Sequence, residues 1–179
     1  MGLDISAYAR LRLAAPGEGV TPSGEYDYDA GYIRVYANRD FPGRTDGLVV
    51  DGIYEKSDNA AHEQDFRAGS YSSYSAWREQ LAILAGYPEG TSREEDREFR
   101  HSLSAWNNAE KTKGLPFWEL IDFSDCEGTI GPVVSAKLAK DFAEQQPKAD
   151  AIGGYFLEKY NQWRHAFELA SDGGAVVFR

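Results

Sequence analysis

The sequence predicts an α+β fold: a mixed or antiparallel sheet with about three helices packed on one face. Three observations carry this. Short apolar runs of strand character crowd the first third of the chain. Later segments repeat apolar residues at spacings of 3 and 4, the signature of a buried helical stripe. A last run, Ala175-Val176-Val177-Phe178, returns to strand composition. The length of 179 residues predicts one domain, residues 1–179. A chain of that size buries roughly 70% of its unfolded surface.

In order along the chain, residues 3–13 alternate apolar and polar positions and predict a half-buried strand. Residues 16–29 are punctuated by Pro16, Gly17, Gly19, Pro22 and Gly24 and predict a surface loop. Residues 32–36 predict a second strand; Pro42-Gly43 then breaks the chain before a third over 48–54. Residues 58–64 read as loop. Ser70 or Ser72 caps a helix that ends near Gly86-Tyr87-Pro88, with Tyr74, Trp77, Leu81 and Leu84 on one stripe. Mixed charges over 90–100 predict a solvated loop or a poor helix, and residues 117–123 a buried strand. A further helix opens at Gly131-Pro132, where proline suits the first turn, and Pro147 is expected to end it. Phe156, Tyr160, Trp163, Phe167 and Ala170 stripe a last helix, stopped by Asp172-Gly173-Gly174.

Composition narrows the function. The net charge of −10 disfavours a general nucleic-acid binder, whose affinity comes largely from Lys and Arg on phosphates, and disfavours steering to an anionic membrane. A local Arg cluster still suits a small anion. No apolar run approaches the roughly 20 residues that span a bilayer. No signal-peptide pattern opens the chain, and the lone cysteine, Cys126, fits a reducing cytoplasm. Nine Phe, eleven Tyr and four Trp are the compositional signal, because buried Tyr and Trp need partners for their polar handles.

The aromatic residues concentrate in two passages that share a Tyr-x-x-Trp-Arg step, Tyr74 to Arg78 and Tyr160 to Arg164, 86 residues apart. Trp77 and Trp163 lie on the apolar stripes and read first as core. Arg78 and Arg164 sit about 100° off those stripes, toward the rim, where a guanidinium binds a carboxylate or phosphate or else forms a surface ion pair. Arg67-Ala68-Gly69-Ser70-Tyr71-Ser72-Ser73 sets a cation and three hydroxyls before a helix, either as an anion site or as a capped loop. Asp122, Asp125 and Glu127 surround Ser124-Asp125-Cys126-Glu127-Gly128 between a strand and a helix. Asp125 or Ser124 reads first as a cap on backbone donors in the turn; the functional readings are one acid on a ribose hydroxyl, for which Asp125 is the candidate, and carboxylates on Mg²⁺ or Ca²⁺. The acids' spacing fits no defined metal loop, and His62, His101 and His165 lack paired zinc spacing.

Several segments together resemble a family of small uncharacterised proteins of tailed phages, prophages and bacteria. They are Gly2-Leu3-Asp4-Ile5, the passage from Phe66 through Leu81, Leu84-Ala85-Gly86-Tyr87-Pro88, Phe117-Trp118-Glu119-Leu120, Phe123 through Gly128, Ala136 through Phe142, Trp163-Arg164 and Asp172 through Val176. The resemblance implies a phage-type accessory protein acting in the bacterial cytoplasm, of a kind that counters host defence by capturing a nucleotide signal. The residues themselves point to a non-enzymatic binder of a small, flat, polar ligand, which the resemblance implies is nucleotide-derived, with no cofactor and no metal, in a possible homo-oligomer. Its contacts are expected at Arg67, Ser70, Tyr71, Tyr74, Arg78, Asp125 and Arg164. The alternatives are a protein-interaction inhibitor of a host protein, or a hydrolase of nucleotide-like substrates using Asp122, Asp125 or Glu127 with a metal or as general acid and base.

Overall fold

A computed structural model describes residues 2–90, 99–123 and 127–179. The fold is α+β. Among the described residues, seven strands form two antiparallel sheets and six α-helices follow or separate them. The strands are β1 (Gly2–Tyr8), β2 (Arg12–Leu13), β3 (Tyr32–Arg34), β4 (Ile53–Glu55), β5 (Glu63–Ser70), β6 (Gly128–Ile130) and β7 (Ala175–Phe178). They order as β5-β1-β7-β6 and β2-β4-β3. The helices are α1 (Tyr71–Leu84), α2 (Arg100–Asn107), α3 (Ala109–Thr112), α4 (Trp118–Asp122), α5 (Pro132–Ile152) and α6 (Gly154–Ser171). No helix among the described residues is long and apolar enough to cross a membrane.

The chain divides into two compact units, each assembled from separate stretches of sequence. One holds residues 1–3, 67–125 and 138–164; the other holds 4–66, 126–137 and 165–179.

In the second unit, β1 pairs with β7 from Ile5 opposite Phe178 to Tyr8 opposite Ala175, and β6 pairs with β7 from Gly128 opposite Phe178. The expected strand over 3–13 is two strands in two sheets. Arg10 adopts φ 54°, and the N–H groups of Arg10 and Leu11 donate to the carbonyls of Asp172 and Gly173, so the chain turns after Tyr8. The expected strand over 48–54 shrinks to β4, because Asp51 takes φ 60° and its N–H donates to Val35. Residues 58–64, expected as loop, include the start of β5. Tyr8, Ile33, Val35, Tyr54, Ala175 and Val177 form the apolar core beneath these strands.

The expected surface loop over 16–29 is pinned by charge. Arg12 donates through Nη1 to Glu18 at 3.1 Å and through Nε to Glu55 at 2.7 Å, while Ala15 N–H donates to Glu18 at 2.8 Å. Arg12, and then the Ala15 N–H, hold the Glu18 carboxyl down at about 2. A depressed carboxyl favours the folded loop above its unfolded range near 4.5, and that contribution is lost as pH falls through the folded value. Acid titration followed by carboxyl-carbon NMR should therefore place the Glu18 midpoint near 2, with Arg12→Gln returning it toward the ordinary carboxylate range. A wild-type midpoint near 4.5 would remove the ion pair from the account.

In the first unit, Ser70 is the helix cap for α1, accepting from Ser73 N–H at 3.2 Å. Residues 117–123, expected as a strand, hold α4 instead. Of their buried members, Phe117, Leu120, Ile121 and Phe123, the first three recur at the i, i+3, i+4 intervals of a helix. Phe117 itself sits in the left-handed region at φ 63°, unusual for a bulky side chain. Its N–H donates to the buried Asp141 carboxylate at 2.7 Å, and its ring meets Phe142 and Tyr160 edge-on at 4.7 and 6.1 Å. Pro147, expected to stop a helix, lies inside α5. Proline offers no N–H to the Ala143 carbonyl, and on the adjacent residue the Tyr160 hydroxyl donates to the Phe142 carbonyl at 2.6 Å. The helix ends at Gly153, in positive φ.

Candidate functional site

The site grows out of α1. Tyr74, Trp77 and Leu81 carry its buried stripe, as their spacing predicts. Trp77 and Tyr74 each stack on Trp163 with ring centroids 5.7 Å apart, and Trp77 also stacks on Phe156 at 6.2 Å. The two Tyr-x-x-Trp-Arg segments thus meet, and they meet as core: Tyr74 and Trp163 are fully buried.

Arg78 departs from expectation. Its position off the stripe predicts a rim residue, yet it is only 9% exposed, because α2 and α4 close over that side of α1. The guanidinium lies over the Tyr74 ring at 5.1 Å, and Nη1 donates to the Ile121 carbonyl at 2.8 Å. Nε is buried without a hydrogen-bond partner, and no carboxylate pairs with Arg78 among the described residues. Burying a guanidinium with no counter-charge is costly, and leaving one of its N–H groups unmade adds to the cost.

Beside Arg78 is a cavity of about 290 Å³. Its walls include Ser75 and Arg78 from α1, Ile121 from α4, and Phe99, Ser102 and Trp106 along α2 and its entry. Glu79, the neighbour of Arg78, sets the α2 wall. Phe99 at the N-cap offers no side-chain acceptor, so the buried Glu79 carboxylate accepts from His101 N–H at 2.9 Å, Ser102 N–H at 2.8 Å and Ser102 hydroxyl at 2.9 Å. The opposite edge is set by Trp106, 57% exposed, whose indole N–H donates to the Asp122 carbonyl at 3.1 Å. The cavity offers a spare guanidinium edge, the Ser75 hydroxyl, the lone pairs of Ser102 and two rings. That set suits a planar molecule bearing an anionic group.

Of the seven residues expected to contact ligand, Arg78 lines the cavity and Tyr74 supports its guanidinium from below, without reaching the surface. Arg67, Ser70 and Tyr71 stand at the N-terminal end of α1. The Ser70 hydroxyl there bonds Ser72 and Ser73, Tyr71 is exposed, and the Arg67 carbonyl accepts from Lys159 at 2.9 Å. Arg164 donates to Gln146 at 2.9 Å. Asp125, with Ser124 and Cys126, lies outside the described residues, as does the charged stretch 91–98. Among the described residues no group of three or more His, Cys, Asp or Glu is placed to hold a metal ion.

Ser75, Phe99, Ser102 and Trp106 escape the sequence reading. Phe99, Ser102, Leu103 and Trp106 fall at i, i+3, i+4 and i+7, a helical face that could have been found. Comparison of the chain with protein-family models, with curated proteins and with solved structures finds no match.

Proposed function

We propose that this chain is a binding protein that captures a small anion with a planar ring system in the Arg78 cavity, a nucleotide-derived molecule with one base and one acid group. The observation that carries the reading is the buried guanidinium whose Nε has no partner among the described residues, beside an aromatic-walled cavity. A volume of about 290 Å³ stands at the lower bound of small-molecule sites, roughly 300–1,000 Å³, which favours a mononucleotide-sized ligand over a polymer. The anionic group takes the side of Arg78 left free by Ile121, and the ring lies against Phe99 and Trp106. On this reading the protein sequesters a nucleotide signal in the cytoplasm of a bacterial host, the setting that the phage-type resemblance implies.

The test uses the exposed Trp106 as reporter. Nucleoside 5′-monophosphates are titrated while tryptophan emission and melting temperature are followed. The expected result is saturable binding, weakened about 100-fold in Arg78→Ala, as loss of charged hydrogen bonds worth roughly 1.5–3 kcal/mol each predicts. Ser75→Ala and Trp106→Ala, at a partly exposed and an exposed position, keep the test sound if Arg78→Ala unfolds, and each should weaken binding about tenfold. No binding by any monophosphate, or full affinity in all three variants, would sink the reading.

A further inference from the structure

The second unit holds a larger cavity, of about 560 Å³, bounded by residues of β3, β6 and β7. Its apolar lining is Ile33, Val177 and Phe178, all buried, and the rings of Tyr26 and Tyr36 stand exposed beside it. Four charged groups border it. Arg34 and Asp51 pair with each other at 3.1 Å. Arg179 meets phenols: its Nη2 donates to the Tyr8 hydroxyl at 3.2 Å and its guanidinium lies over the Tyr28 ring at 5.4 Å. The Glu127 carboxylate has no hydrogen-bond or ion-pair partner among the described residues, since Asn38 bonds the Glu127 backbone carbonyl instead. Once the Arg34–Asp51 pair is set aside, Arg179 and Glu127 remain, each without an oppositely charged partner among the described residues, around an apolar lining with two rings.

We propose that this cavity is a second ligand site, independent of Arg78, for a guanine-type base. A phosphate would meet Glu127 and Asp51, and a simple cation would meet two guanidiniums. A neutral flat heterocycle with donors on one edge and acceptors on the next satisfies both spare charges. Guanine places N1–H and the N2 amine together, a donor pair for a carboxylate. Its O6 and N7 form the acceptor pair that arginine recognises. Adenine turns the ring-nitrogen donor into an acceptor and so sets a lone pair against Glu127. Tyr26 and Tyr36 supply faces for stacking, which every base accepts, so the selectivity rests on Glu127 and Arg179.

Guanosine, inosine and adenosine carry no phosphate and so lack the group that the Arg78 cavity is proposed to hold. Each is titrated by calorimetry and by amide NMR into the full chain, into Glu127→Gln and into Tyr36→Ala. Both substituted side chains are exposed, Tyr36 at 54%, so the variants should fold. Guanosine is expected to bind and to move the amides of Gly128, Val177 and Phe178. Inosine, without the N2 amine, and adenosine should each bind about tenfold or more weakly, and either substitution should cost guanosine about tenfold. Equal binding of guanosine and adenosine, unmoved amides along β6 and β7, or full guanosine affinity in Glu127→Gln would overturn the proposal. Because guanosine carries no phosphate, its binding is read apart from the Arg78 cavity, so failure here is separable from failure at the other cavity.

Discussion

Replacing Trp163 by alanine should lower stability by about 3–5 kcal/mol, the loss typical of a buried tryptophan. For a chain of this length that is a fall in melting temperature of roughly 6–20 °C. Trp163 is fully buried and is the ring on which both Tyr74 and Trp77 stack, so its removal opens a void and strips two partners together. The stacked layer is what the repeated Tyr-x-x-Trp-Arg pattern builds, one copy on α1 and the other on α6. Trp106 provides the contrast within the same protein. It is largely exposed, so Trp106→Ala should cost under about 1 kcal/mol of stability while impairing ligand capture. Urea unfolding of the two variants measures both. A Trp163→Ala variant within about 1 kcal/mol of wild type would mean that the aromatic layer does not organise this core. The layer also bears on function, because Tyr74 carries the Arg78 guanidinium on its face.

The α+β class and the principal helices were legible because their cues are local. Ser70 caps where a cap is expected, the stripes of α1 and α6 are buried, and α5 opens at Pro132. The misread elements depend on partners distant in sequence. Residues 117–123 resemble a strand in composition, but an Asp141 carboxylate 24 residues on fixes Phe117 in a left-handed turn that starts a helix. Pro147 fails to end α5 although proline disfavours helix interiors, since packing over the rest of a long helix outweighs one missing bond. The strand over 3–13 breaks because carbonyls of Asp172 and Gly173 capture its N–H groups. The candidate cavity was legible only in part for the same reason. Arg78 could be singled out from its place beside the stripe, but its burial follows from α2 and α4, which pack on α1. Arg67, Ser70 and Tyr71 precede a helix, where hydroxyls serve capping and ligand binding equally well, and the Ser70 hydroxyl there accepts from the Ser73 N–H.

Glu79→Ala should lower stability by about 3–4 kcal/mol and disable the Arg78 cavity with it. The carboxylate is buried and accepts two backbone N–H groups and one hydroxyl at the start of α2. Alanine removes the acceptor and leaves those donors in a place that water reaches poorly, where each unmade bond costs about 1–3 kcal/mol. It also removes the negative charge from a helix N-terminus whose own cap residue, Phe99, offers none. Glu79→Gln keeps one oxygen and loses the charge, so it should fall between wild type and alanine. Because Ser102 and Trp106 reach the cavity from α2, loss of the Glu79 anchor should raise amide exchange across residues 100–107 before the rest of the chain responds. Hydrogen exchange on Glu79→Gln, with monophosphate titration of the same sample, reads both effects. Unchanged protection in α2 would show that the helix holds its place without Glu79. Faster exchange with undiminished ligand affinity would instead separate the α2 wall from binding and leave Arg78 and Ser75 to account for it alone.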